Sequence, residues 1–101
     1  MKKIMLSVIW LGCWSVASVA DADEALRGRT IGVTCAGCHG TDGVGSDMIP
    51  TLKGKDAASL EALLTEYKAG ERTGSVMPRI AKGYSAADIK AVAAYFASLQ
   101  D

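Results

Sequence analysis

The chain has 101 residues, eleven basic and eleven acidic side chains, a single histidine, and hydrophobic residues at half of its positions. So balanced a charge set offers no basic face of the kind that binds nucleic acid by releasing counterions. The length allows one small domain, and a domain of this size buries so little apolar surface that it commonly depends on a staple, a metal or a partner.

The chain opens with a short cationic start, Met1-Lys2-Lys3, followed by the apolar run "IMLSVIWLGCWSVASVA", which ends on the small residues Ser18-Val19-Ala20. This order predicts a signal peptide over residues 1–20, cleaved after Ala20, with Ala22 as a second cleavage point, and a single domain over residues 21–101. The apolar run is only slightly shorter than the roughly 20 residues a spanning helix needs. The small-residue exit and the acidic "DADE" beyond it nevertheless favour cleavage over a retained anchor. Cys13 follows the bulky Trp10 and Leu11 too closely for a lipid-attachment site and reads as a passive leader residue. Export places the mature domain in the periplasm, with no membrane attachment expected. Without Lys2 and Lys3, nine basic residues face eleven acidic ones, so the mature chain is mildly acidic.

A short first helix is predicted from Asp23 to about Cys35, although Gly28 and Gly32 lower its intrinsic propensity. Glycine inside a helix often marks close packing. At its end, "VTCAGCHGTDG" places Cys35 and Cys38 three positions apart and next to His39, the only histidine. Three chemistries compete for this cluster. A disulfide suits an oxidising compartment, but the redox-active Cys-x-x-Cys sits in a βαβ pattern that this chain lacks. Structural zinc takes four Cys or His ligands, and the mature chain holds only these three. Covalent c-type haem uses Cys-x-x-Cys-His directly: both thiols add to the vinyl groups and the adjacent imidazole lies under the iron. The pattern favours haem.

Gly40 to Gly45 reads as a turning loop, since it lacks the Lys-Ser/Thr ending of a phosphate-binding loop. The carbonyl of Pro50, eleven residues beyond His39, is a candidate acceptor for the second ring N–H of a metal-bound imidazole, with stiffening of the loop as its bland alternative. The clearest helix is "DAASLEALLTEYKAG", where Leu60, Leu63, Leu64 and Tyr67 recur at the offsets of one buried face and Gly70 offers a stop. A second axial ligand must come from Met48 or Met77. Met48 is too near His39 in sequence to reach the opposite haem face easily. Met77 lies 38 residues on, and Pro78 biases it towards an extended conformation that presents its sulfur from a loop. A methionine that merely fills a core gap is the bland alternative. Ser85-Ala-Ala-Asp88 opens the last helix as a capping box with Asp in place of Glu, and Ile89, Val92, Ala93 and Phe96 follow at helical offsets. No stretch alternates as a strand does, and no repeat is present.

Taken together, helix, Cys-Ala-Gly-Cys-His, proline loop, middle helix, Met loop and C-terminal helix resemble a class I c-type cytochrome over residues 23–101. The resemblance implies an all-α fold of three to four helices around one covalent haem c. It implies haem attachment at Cys35 and Cys38, axial ligation by His39 and Met77, orientation of His39 by the Pro50 carbonyl, and a contact between Gly28 and Tyr95. The segment "RIAKGYS" after the Met loop is similar, more narrowly, to the cytochrome subunit of flavocytochrome c sulfide dehydrogenases. That likeness implies an electron-accepting subunit whose flavoprotein partner oxidises sulfide, and one Cys-x-x-Cys-His implies a one-haem form.

The chain itself carries no dinucleotide fingerprint, no second histidine and no further mature thiol, so no enzymatic activity is expected of it. Ala36, Gly37, Val76 and Ile80 could form an apolar rim for docking, or Val76 and Ile80 could be ordinary core. Arg79 and Lys82 could face haem propionates, an acidic partner or solvent. Two other functions stand beside the sulfide dehydrogenase subunit: a diffusible shuttle serving other periplasmic redox proteins, and a haem-based gas or peroxide responder, which needs an open sixth position.

Overall fold

The computed structural model describes residues 17–99. The leader predicted for residues 1–20 lies outside them except for residues 17–20, which begin the first helix. The described elements are α1 (Ala17–His39), a short 3-10 turn (Thr41–Gly43), α2 (Ala57–Ala69), α3 (Met77–Ala81) and α4 (Ala86–Ser98), with no strand among the described residues. The all-α class expected from the sequence is the class found. α1 packs chiefly on α4, α4 also carries α2, and α3 reaches the body through α2.

Local chemistry sets the helix ends. The Asp56 carboxylate accepts the Ser59 N–H at 3.0 Å and opens α2, and the Gly70 and Glu71 N–H groups close it on the carbonyls of Tyr67 and Glu66. The capping box of α4 forms with Asp doing the work usually given to Glu: Ser85 Oγ accepts the Asp88 N–H at 3.1 Å, and Asp88 Oδ2 accepts the Ser85 N–H at 3.0 Å. The apolar offsets of α4 are buried as predicted, and Ile31, Leu60, Val92, Ala93 and Phe96 form the core. Burying each large side chain contributes about 1.5–3 kcal/mol, so in a chain this short the buried face of α4, with Ile89, Val92 and Phe96, supplies much of the core.

α1 runs beyond its predicted stop, through the whole of Cys35–His39. The two glycines that weaken its propensity are its contact points with α4. A Cβ on Gly28 would stand 2.3 Å from the Ala91 carbonyl oxygen and 3.3 Å from Tyr95 Cβ, and one on Gly32 would stand 2.4 Å from the Tyr95 ring. The contact expected between Gly28 and Tyr95 is therefore shared: the backbone of Ala91 is the nearer neighbour of Gly28, and the Tyr95 ring lies over Gly32. Tertiary contact replaces the lost propensity with backbone approach.

One tie across α1 and α4 was not legible beforehand. Arg27 Nε donates to Asp88 Oδ1, the same carboxylate that caps α4. This guanidinium first, and the Ser85 N–H second, lower the Asp88 pKa from 3.8 to about 2. A carboxyl whose folded pKa is depressed adds stability above its unfolded pKa and loses it as pH falls towards the folded one. The melting temperature is therefore expected to fall as pH is lowered from about 4 towards 2. Asp88→Asn should lower it at neutral pH and flatten that dependence, as followed by circular dichroism.

Candidate functional site

The last turn of α1 gathers Cys35, Cys38 and His39. At a spacing of three, Cys35 and Cys38 lie one above the other on one helix face. Both are free thiols, Cys35 half-buried against the core and Cys38 exposed. Burial pushes the Cys35 thiol up, the opposite of the depressed thiolate that marks a redox-active Cys-x-x-Cys. Among the described residues, no three His, Cys, Asp or Glu side chains converge as a metal cage, so the cluster is not arranged for zinc.

His39 is only 7% exposed. Its Nδ1 lies 2.8 Å from the Pro50 carbonyl oxygen. A carbonyl can only accept, so Nδ1 is the donor, and in the neutral imidazole that tautomer leaves the lone pair on Nε2. The orienting role expected of Pro50 is thus present in the geometry. The loop that delivers this carbonyl is held at several points. The Gly45 N–H donates to the His39 carbonyl at 2.6 Å, the Leu52 N–H donates to the Gly43 carbonyl at 2.6 Å, and Thr51 Oγ1 donates to the Val44 carbonyl at 2.7 Å.

Gly45 is the residue sequence reading missed. It sits at φ 78°, and a Cβ there would stand 2.7 Å from the Ile49 carbonyl oxygen and from Thr51 N, and 2.9 Å from the carbonyl carbon of Pro50. The backbone that aims the Pro50 carbonyl rests directly on this glycine. A glycine-rich loop was visible in the sequence, but which glycine bears the contact was not. Gly45→Ala combines a left-handed backbone with backbone clashes and should cost roughly 2 kcal/mol of stability. Because the displaced atoms include the His39 acceptor, the same variant should shift the NMR resonance of the His39 Nδ1 proton.

Met77 stands apart from this group, half-buried at the head of α3. The extended conformation predicted for it is not what forms: Met77 begins a five-residue helix with Pro78 in its first turn. Proline is tolerated there because the first-turn N–H groups have no intrahelical acceptor to lose. Met48 is 91% exposed, at the tip of the turn closed by Ser46 and Ile49. Val76 and Ile80 are exposed at 54% and 38%. Arg79 and Lys82 are exposed as well.

A donor set of two thiols one helical turn apart, beside an oriented imidazole with a free Nε2 lone pair, fits a group fixed by two covalent bonds and one axial nitrogen. The family model described as cytochrome c oxidase, cbb3-type, subunit III, matches residues 23–96. The cytochrome subunit of sulfide dehydrogenase from Chlorobaculum tepidum is 47% identical over 73 residues, 72% of this chain and 66% of that protein. Cytochrome c-554(548) of Halomonas halodenitrificans is 40% identical over 76% of this chain and 98% of its own length. The crystal structure of cytochrome c4 from Pseudomonas stutzeri superposes with a TM-score of 0.71 at 32% identity, covering 79% of this chain and 50% of that one. The chain thus spans about two thirds of the sulfide dehydrogenase subunit and half of cytochrome c4. Thiosulfate dehydrogenase (TsdBA) from Marichromatium purpuratum superposes with a TM-score of 0.69 at 33% identity, over 75% of this chain and 18% of its own. Among the described residues no helix is long and apolar enough to cross a membrane. Cytochromes c carry covalent haem c, and agreement that runs through all four described helices makes this chain a member of the cytochrome c family, a class I c-type cytochrome that works in electron transfer.

Proposed function

We propose that the chain carries one haem c, bonded through the thiols of Cys35 and Cys38, with His39 Nε2 and the Met77 thioether as axial ligands. We further propose that it works in the periplasm as the electron-accepting cytochrome subunit of a sulfide dehydrogenase complex. The observation that supports His39 as a ligand is the 2.8 Å bond from its Nδ1 to the Pro50 carbonyl, which in the neutral imidazole leaves Nε2 free to face iron. When bound, haem c supplies one-electron exchange between ferric and ferrous iron. The chain's own part is to hold it. Cys35 and Cys38 tether it to the end of a long helix, Pro50 and Gly45 keep the imidazole from turning, and Met77 offers a soft donor that favours the reduced state.

The partner assignment is supported by the 47% identity with a sulfide dehydrogenase cytochrome subunit. In that setting sulfide oxidation belongs to a flavoprotein, since this sequence has neither a dinucleotide motif nor a second histidine. A second reading, a free-standing shuttle, is favoured by the 98% coverage of cytochrome c-554(548), a chain of nearly the same extent as the region matched here.

Purification of the mature protein from cells that mature c-type cytochromes tests both levels. A red protein whose mass exceeds the polypeptide by one haem, with Cys35→Ser and Cys38→Ser each weakening covalent retention, is expected. A colourless protein of bare polypeptide mass would end the proposal. Co-purification with a flavoprotein supports the subunit reading. A monomer that exchanges electrons rapidly with several unrelated redox proteins, and retains no flavoprotein, supports the shuttle.

A further inference from the structure

α3 is only five residues long, and the segments three residues before and after it meet the last turn of α2. At the start of α3, Gly74 lies between two rings: a Cβ there would stand 3.3 Å from Pro78 Cδ and 3.3 Å from Tyr67 Cε1. Tyr67 is itself framed by the Arg72 guanidinium, 5.8 Å from its ring centroid and 3.1 Å from Glu66 Oε2. At the far end, the Lys68 ammonium donates to the main-chain carbonyl of Tyr84, the residue between the turn closing α3 and the N-cap of α4.

The Lys68 contact joins two elements that are distant in sequence. Its side chain is half-buried and spans 16 residues of sequence to reach a backbone oxygen rather than a carboxylate. Charge-assisted bonds are roughly twice as strong as neutral ones. Here the acceptor lies three residues past the end of the helix that bears Met77, and its own N–H donates to the carbonyl of Ala81, the last residue of that helix, which is fully buried. A helix of five residues has almost no stability of its own, so these ties decide where it sits.

We propose that Lys68 is a positioning residue for Met77: by pinning the Tyr84 carbonyl to the end of α2, it fixes α3 and so holds the thioether at the head of that helix in place. This rests on the reading of Met77 as the sixth ligand. Lys68 touches no reacting atom; it acts through the backbone of the α3–α4 junction.

The test uses the haem-loaded protein and free imidazole as a competitor for the sixth position. Lys68→Met keeps the aliphatic stem and removes the donor. It should raise the apparent affinity for imidazole roughly tenfold, the effect of losing one charge-assisted bond, and diminish the thioether-to-ferric-iron absorption band. Hydrogen exchange at the Arg79 and Ile80 amides, both bonded to the Val76 carbonyl, should quicken in the same variant. Lys68→Arg, which retains a charged donor, should restore both readouts, and Lys90→Met on the exposed face of α4 should leave them unchanged. If Lys68→Met yields no folded protein, Lys68→Gln serves instead, with a smaller change in the same direction. A wild-type thioether band that persists in Lys68→Met, with imidazole affinity within about twofold, overturns the positioning role alone. A wild-type protein without that band, binding imidazole as Met77→Ala does, overturns the ligand reading and this proposal together.

Discussion

Gly28→Val is expected to lower the unfolding free energy by roughly 3 kcal/mol or more, the upper end of overpacking penalties. The reason is the identity of the atoms that would be struck. The nearest neighbours of a Cβ at Gly28 are the carbonyl oxygen of Ala91 at 2.3 Å and its carbonyl carbon at 2.8 Å. Those are backbone atoms inside α4, which cannot rotate away as a side chain can, so the two helices must separate along their contact. That contact seats Ile31 against Val92, Ala93 and Phe96, so separation loosens the core itself. Gly37→Ala on the same helix supplies the opposite sign. No atom lies within 4 Å of a Cβ there, so the higher helix propensity of alanine should stabilise by about 0.5–1 kcal/mol. Urea unfolding of the haem-loaded protein, compared at constant slope, reads both changes. Equal midpoints for Gly28→Val and wild type would show that α1 and α4 are not in backbone contact.

Met77→His should keep the haem attached and lower its reduction potential by something on the order of 0.1 V or more, a modest part of the roughly 0.8 V range over which axial ligands tune haem. Thioether sulfur is soft and stabilises ferrous iron, whereas imidazole is a better donor to the ferric state. In the proposed site the covalent tethers are Cys35 and Cys38 on α1, whereas Met77 sits on α3, so the substitution would change the ligand without touching the tether. Pro78 and the Gly74–Tyr67 contact hold the start of α3 and limit how far an imidazole could relax there. Potentiometric titration followed by absorbance measures the shift. An unchanged potential would remove Met77 from the site and return Met48, exposed at a turn tip, to consideration.

These expectations link the two halves of the molecule. α1 and its glycines place the cysteines and His39, whereas α2, through Tyr67 and Lys68, places α3. α4 joins them, since it packs on both α1 and α2. Its N-terminus is held to α1 by Arg27 through Asp88, and to α2 by Lys68 through the Tyr84 carbonyl that precedes its cap. A proposed site whose axial ligands come from separate helices thus depends on one helix that carries neither.

Sequence alone determined the features whose physical cause is local. The capping box at Ser85 and Asp88, the buried stripe of α4, the caps Asp56 and Gly70 that bound α2 and the Cys-x-x-Cys-His spacing of Cys35, Cys38 and His39 each depend on spacing within a few residues, which a linear string displays directly. Tertiary structure decided whatever depended on a distant backbone. Propensity stopped α1 near Cys35, but α4 offered Gly28 and Gly32 a surface only glycine can meet, and the helix continued to His39. Met77 was expected in an extended loop, yet the following proline fell in a helical first turn, where it costs nothing. Likewise Gly45 beneath Pro50, Arg27 on Asp88 and Lys68 on Tyr84 join residues whose separation in the chain carries no periodic signal, so only the packed fold could bring them together.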